Sequence, residues 1–155
     1  VGYQLRAIPE IQILARQTRS SPEPWVLEAS FHSVYHLCDL VSFFEGEPGI
    51  RAAAASGQSE VKLVFLSGHT VRIVLKAGPL GLNLTGMGRE AVSLKIDSGG
   101  ASETYQSSFL NFEASMRGRE SPLCGLADLK KTFSIYRTVC AVRARRRLHL
   151  GDKAF

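Results

Sequence analysis

Between residues 50 and 96, strand-like segments follow one another with no helical segment among them, and this grouping constrains the fold more than any other feature. Strands that succeed one another directly pair antiparallel through short turns, whereas parallel pairing needs a long crossover, usually a helix. An antiparallel sheet needs cover on one face only. The segments are rich in β-branched residues and leucine, and span 50–55, 60–67, 70–77, 81–87 and 89–96.

Helical patterns flank this series on both sides. Residues 9–19 and 31–45 precede it, and residues 105–117 and 127–146 follow it, all with apolar side chains at helical spacing. The sequence therefore predicts one α+β domain over residues 1–155, with an open, mostly antiparallel sheet and helices on one face. The remaining predictions are a short strand at 2–7, a strand at 25–30, a loop at 98–102 and a strand or tail at 148–150.

Composition excludes several classes of protein. With 155 residues, 45% of them hydrophobic, and a net charge of +5, the chain is expected to fold around one core. Its apolar stretches fall far short of the roughly 20 residues of a membrane-spanning helix, so we expect no membrane association. Cys38, Cys124 and Cys140 are odd in number and widely spaced, which suits a reducing compartment and predicts a cytoplasmic protein.

Two further patterns, the basic run 143–147 and the pair His32 and His36, are weak indications of a binding partner or a metal. Four arginines in that run suit the end of a helix, where cations interact favourably with the helix dipole. Since no aromatic stacking motif accompanies them, we expect no nucleic-acid partner, while binding of an acidic partner stays open. His32 and His36 are four residues apart, but without an H-E-x-x-H arrangement they predict no metal site.

A series of short patterns extends over nearly the whole chain. It comprises Arg6 before Pro9, the H-x-x-D-L pattern of residues 36–40, a Gly46-Glu47-Pro48 turn, a Ser67-Gly68 turn between two strands, the strand pair 82–86 and 92–96, and Phe109, Phe112, Pro122 and Gly125 before the last helix. In order and spacing this series resembles the C-terminal domain of the Gfo/Idh/MocA family of NAD(P)-dependent oxidoreductases.

The resemblance implies a domain that binds a small hydroxy or keto substrate, such as a sugar or polyol. His36 matches the family's catalytic histidine, whose neutral imidazole can accept a hydroxyl proton. His32, Tyr35, Asp39 and Arg6 are the predicted substrate-binding residues. Structural uses stay open for each, such as packing for Tyr35 or a salt bridge for Arg6. The open face of the sheet is expected to meet a second copy in a homo-oligomer.

The chain also departs from the family pattern. His32 occupies the position of the family's aspartate, and no G-x-G-x-x-G or E-K-P motif is present. The pairs Gly78/Gly81 and Gly86/Gly88 lead into strands and are interpreted as turn residues. NAD or NADP, implied by the resemblance, would therefore be bound mainly by a Rossmann domain outside these residues, and this chain is expected to be inactive alone. The alternative is a non-catalytic binding or scaffold protein derived from the family.

Overall fold

The computed structural model describes residues 3–46, 49–86, 89–96, 101–118 and 124–151. A 3₁₀ helix leads into four α-helices and six strands. In chain order these are the 3₁₀ helix Tyr3–Ala7, α1 Pro9–Ser20, β1 Trp25–Phe31, α2 Val34–Glu45, β2 Ile50–Ala55, β3 Glu60–Phe65, β4 Thr70–Leu75, β5 Leu80–Gly86, β6 Arg89–Ile96, α3 Ala101–Met116 and α4 Leu126–Gly151.

The six strands form one open sheet in the order β2-β3-β4-β1-β5-β6. Strand β1 lies between β4 and β5, parallel to the first and antiparallel to the second, and the other neighbouring pairs are antiparallel. The predicted α+β fold with a mostly antiparallel sheet is confirmed. The predicted uninterrupted meander is wrong, because β1, formed before the series, is inserted into its middle.

The core lies between one face of the sheet and the helices. Every second residue of β1, Trp25, Leu27 and Ala29, is fully buried, as alternation along a strand requires. Helices α2 and α4 pack on the sheet, and α1 packs on α2. Full burial of each large aliphatic or aromatic side chain in this layer contributes about 1.5–3 kcal/mol.

The opposite face of the sheet is polar and is covered by none of the described helices. Lys62, Arg72, Glu28 and Asn83 stand side by side in one row across β3, β4, β1 and β5. Two like charges directly opposite each other repel. Here Arg72 is bonded at 2.8 Å to Glu28 and at 2.8 Å to Glu60, which balances the charge of Lys62.

Most of the predicted elements are confirmed, with small changes at their ends. Pro9 occupies the first turn of α1, and Gly68 takes a φ of 88° in the tight turn between β3 and β4. Helix α2 begins at Val34, because the side chain of Ser33 caps it while Phe31 still belongs to β1. The predicted turn at Met87-Gly88 and the proline at 122 lie outside the described residues.

Three local predictions are wrong. Residues 3–7 form a 3₁₀ helix rather than a strand, because a turn draws the side chain of Arg6 into the interior. The loop predicted at 98–102 extends too far, because α3 already begins at Ala101. Residues 148–150 continue α4, in which no glycine or proline interrupts the helix between Leu126 and its last residue.

Helix α3 packs on the 3₁₀ helix and leaves its large apolar side chains exposed. The exposed fractions are 67% for Phe109, 55% for Leu110, 62% for Phe112 and 74% for Met116. In the described ranges, no helix combines the length and the apolarity needed to cross a bilayer.

Candidate active site

The first turn of α2 brings three of the five predicted site residues together. The hydroxyl of Ser33 accepts a hydrogen bond from the backbone N–H of His36 at 3.5 Å, so the helix starts at Val34, and His32 lies just before the cap. His32 is exposed and His36 is half-buried. Their rings lie 4.0 Å and 6.2 Å from that of Phe31, the last residue of β1. An aromatic platform that sequence reasoning missed therefore lies against both histidines.

Tyr35 connects this turn to α4. Its ring lies 6.0 Å from the rings of both Phe133 and Tyr136, in edge-on geometry. Its hydroxyl is buried and has no hydrogen-bond partner among the described residues. A buried hydroxyl without a partner costs about 1–3 kcal/mol, and a water or a ligand that bonds this group would lower that cost.

Arg6 and Asp39 lie deeper, in a buried polar network. Arg6 is 1% exposed and meets the carboxylate of Asp39 with both Nη2 at 2.6 Å and Nε at 3.1 Å. Ser42 accepts a further bond from Arg6 Nη2 at 3.2 Å, and the hydroxyl of Thr132 donates to Asp39 Oδ1 at 3.1 Å. These bonds join the 3₁₀ helix, α2 and α4 inside the core.

Burial lowers the pKa of Arg6, but the hydrogen bonds and negative charge of Asp39 outweigh this effect, and the net change is upward. Burial raises the pKa of the Asp39 carboxyl, and the hydrogen bonds from Arg6 and Thr132 act against that rise. The bidentate contact with the guanidinium satisfies both groups. A substrate reaching either residue would have to break these bonds. The geometry favours the structural use of Arg6 and Asp39, and their role in binding substrate stays a prediction.

A second polar cluster, which the sequence did not predict, lies at the other end of α2. Glu45 Oε2 is 2.7 Å from His69 Nδ1, and Glu45 Oε1 accepts a bond from the hydroxyl of Ser67 at 2.6 Å. The imidazole of His69 stacks on the indole of Trp25 with ring centres 4.2 Å apart. The turn between β3 and β4 brings Ser67 and His69 to the end of α2. These two residues follow Glu45 by 22 and 24 positions in the sequence, and no known motif has such a spacing.

A cavity of about 610 Å³ runs along the outer face of α4. All of its described lining comes from this helix: Leu129, Lys130, Phe133, Ser134, Arg137, Thr138 and Ala141. Phe133 also contacts Tyr35, so the cavity lies next to the first turn of α2. The amphipathic pattern of the helix gave no sign of it, because the pattern assigned Phe133 to the buried face.

The described residues do not form a dinucleotide or metal site. Gly78 and Gly81 lie between and within strands, and an added Cβ at Gly81 would lie 2.6 Å from Ser30 Oγ. Gly86 ends β5, where a Cβ would lie 2.8 Å from the carbonyl oxygen of Pro24. Gly81 and Gly86 serve strand packing, Gly78 takes a φ of 113° in a turn, and none of the three precedes a helix that could receive a pyrophosphate. No group of three metal-binding side chains occurs in the described ranges.

Comparison with known proteins adds a fold-level likeness. No family model matches the sequence, and no curated protein matches it. Among solved structures, a "putative myo-inositol dehydrogenase" from Sinorhizobium meliloti matches 94% of this chain with a TM-score of 0.71 and 14% identity. A dehydrogenase from Chromobacterium violaceum matches 98% of it with a TM-score of 0.66 and 16% identity.

A third structure is the WlbA dehydrogenase from Chromobacterium violaceum in complex with NADH and UDP-GlcNAcA. It matches 90% of this chain with a TM-score of 0.59 and 10% identity. At these identities the likeness shows the shared fold. The chain spans 63% of the length of the first two proteins and 58% of the third.

Proposed function

We propose that this chain is the C-terminal substrate-binding and dimerisation domain of an NAD(P)-dependent oxidoreductase. Its substrate would be a small hydroxy or keto compound, similar to a sugar or polyol. The observation that carries this proposal is the similarity of the fold to that of a solved structure described as a putative myo-inositol dehydrogenase, which covers 94% of this chain. The motif order of the Gfo/Idh/MocA family supports the same conclusion independently.

The nicotinamide cofactor would be held mainly by a domain outside these residues. Gly78, Gly81 and Gly86 serve turns and strand packing, so none of these described glycines cradles a dinucleotide, and this chain is proposed to be inactive alone. The WlbA structure contains NADH in a chain of which this one spans 58%. A cytoplasmic location belongs to the same proposal, and the three cysteines are free thiols.

In this proposal His36 moves the proton at the substrate hydroxyl. A half-buried imidazole at the start of α2 can be reached from the surface, and as a neutral base it can accept a hydroxyl proton. His32 and Tyr35 would orient the substrate from either side of that ring. The carboxylate of Asp39 is already bonded to Arg6 and Thr132, and its part in binding the substrate stays a prediction.

The open face of the sheet is the proposed dimer interface. Val26 lies in the central strand and is 45% exposed on this face. Around it are the small or uncharged side chains of Thr70, Thr85 and Val64, in one row across the sheet. A two-fold axis through such a row lets each copy present the same complementary surface. Sedimentation of the chain should accordingly give a dimer.

Sequencing the reading frame upstream of Val1, and then assaying the longer chain, tests the enzymatic role. That frame should encode a G-x-G-x-x-G and an E-K-P motif. In the longer chain, His36→Asn should lower kcat by about 10²–10⁴-fold with little change in KM. Near-normal turnover of this variant would reject His36 as the proton carrier.

His69→Asn is the matched control, because it removes a histidine at the opposite end of α2. It should lower stability while leaving turnover per folded molecule near that of the wild type. A start codon directly before Val1 would contradict the enzymatic role. The alternative, a non-catalytic scaffold, is favoured by His32 at the aspartate position. It predicts an intact dimer and no hydride transfer by the longer wild-type chain.

A further inference from the structure

The cavity along α4 has a marked positive character. Lys130 and Arg137 both line it, are both exposed, and form no ion pair or hydrogen bond with any described residue. They are seven residues apart, which places them on one helix face about 10 Å apart along the axis. Among the described lining residues none is acidic. Two unneutralised cations therefore lie along one open groove on the surface of α4.

The open groove between the two cations carries both polar and apolar side chains. Ser134 lies between them and Thr138 beside them, and both side chains carry hydroxyl groups. Phe133 is 46% exposed and offers an apolar surface at the centre. A volume of about 610 Å³ falls within the range of small-molecule sites, roughly 300–1,000 Å³. The lining combines one apolar surface with a few polar groups.

The cavity also adjoins the candidate active site. Phe133 lies 6.0 Å from the ring of Tyr35, and Tyr35 precedes His36 on α2. The hydroxyl of Tyr35 is buried and has no partner within the described part of the chain. A ligand along α4 would thus lie beside the side chains proposed to handle the substrate.

We propose that this cavity binds the anionic end of the substrate, and that the substrate is a sugar- or polyol-sized molecule carrying a phosphate or carboxylate. Lys130 and Arg137 hold the anion, since cations bonded to oxyanions make stronger hydrogen bonds than neutral donors do. Phe133 packs against the ring or carbon chain. This inference rests on the proposed function, whose substrate class it narrows.

Binding to the 155-residue chain tests the inference without any nicotinamide. Glucose 6-phosphate and glucuronate are the anionic probes, neutral myo-inositol and inorganic phosphate are the comparators, and amide chemical shifts report the site. Both anionic sugars should shift resonances of α4, and raising the salt concentration should weaken them. The double variant Lys130→Glu/Arg137→Glu should weaken both at least tenfold.

The matched control is Arg16→Glu/Arg51→Glu, at two exposed arginines outside the described lining of the cavity, which changes the net charge equally and should leave the affinities unchanged. Lys130→Gln/Arg137→Gln repeats the test without charge reversal. Equal binding of myo-inositol, or failure of both anionic sugars to bind, would overturn the proposal. If inorganic phosphate bound as tightly as glucose 6-phosphate, the cavity would recognise anions in general and not a sugar, which would also overturn the proposal. Because no hydride transfer is measured, failure of the proposed enzymatic role is detected separately.

Discussion

Helix α2 carries polar side chains at both ends, and the two ends use them differently. In the later part, Asp39, Ser42 and Glu45 are each bonded to another element of the fold. At the first turn, His32 is exposed, and the hydroxyl of Tyr35 has no partner among the described residues. The same helix is therefore polar for two different reasons.

This difference separates the residues that hold the fold from those available to a ligand. A bonded polar group in the core stabilises the specific arrangement of the 3₁₀ helix, α2 and α4. A buried polar group without a partner lowers stability, so its benefit has to come from something other than folding. By this criterion the first turn of α2 is the functional end and the later part is the structural end.

The largest effect is expected from breaking the Arg6–Asp39 pair. Arg6→Met leaves a carboxylate buried without its counter-ion and should lower the free energy of unfolding by about 3–5 kcal/mol. The double variant Arg6→Met/Asp39→Leu should recover most of that loss, because it removes both charges. Urea unfolding measures both variants. A loss below about 1 kcal/mol for the single variant would mean that the pair does not hold the structural end together.

An intermediate effect is expected from Glu45→Gln. Glu45 has a 2% exposed side chain, and its carboxylate serves both Ser67 and His69. Replacing it with an amide of the same shape should cost about 1.5–3 kcal/mol, the range for hydrogen bonds to a charged group. Glu23→Gln in an exposed loop is the control and should change stability by less than about 0.5 kcal/mol. Equal effects of the two variants would contradict the structural assignment of this end.

The smallest effect is expected at the functional end. Tyr35→Phe removes a hydroxyl that makes no hydrogen bond in the described structure, so thermal stability should stay within about 0.5 kcal/mol of the wild type or rise slightly. Thermal unfolding monitored by circular dichroism measures this. A loss above about 1 kcal/mol would show that the hydroxyl has a structural partner, and the contrast between the two ends would then disappear.

Much of the secondary structure could be predicted because its signals are local. Pro9 and the apolar spacing after it specify α1, and the Ser67-Gly68 turn between two β-branched segments specifies the β3–β4 hairpin. The candidate site could be predicted in part. Tyr35 and His36 lie at the start of the predicted helix, but His32, which the sequence also placed on that helix, lies before its N-cap Ser33.

The remaining features depend on residues far apart in the sequence. Nothing in the alternation of β1 indicates that it pairs parallel with β4 in the centre of the sheet. Arg6 and Asp39 are 33 residues apart, and the sequence alone left Arg6 equally suited to a ligand and to a salt bridge. The exposure of Phe133 could not be read from its helical position, because it depends on what packs against α4.

The sequence by itself determined most of the helices and strands, since turn residues, caps and periodicity act over a few residues along the chain. It also determined that the sheet is mostly antiparallel and that the fold class is α+β. Only the tertiary structure decided which polar residues are hydrogen-bonded inside the core and which stay available to a ligand at its surface. The physical reason is that burial and bonding of a side chain depend on neighbours brought close by folding, and these neighbours have no constant distance in the sequence.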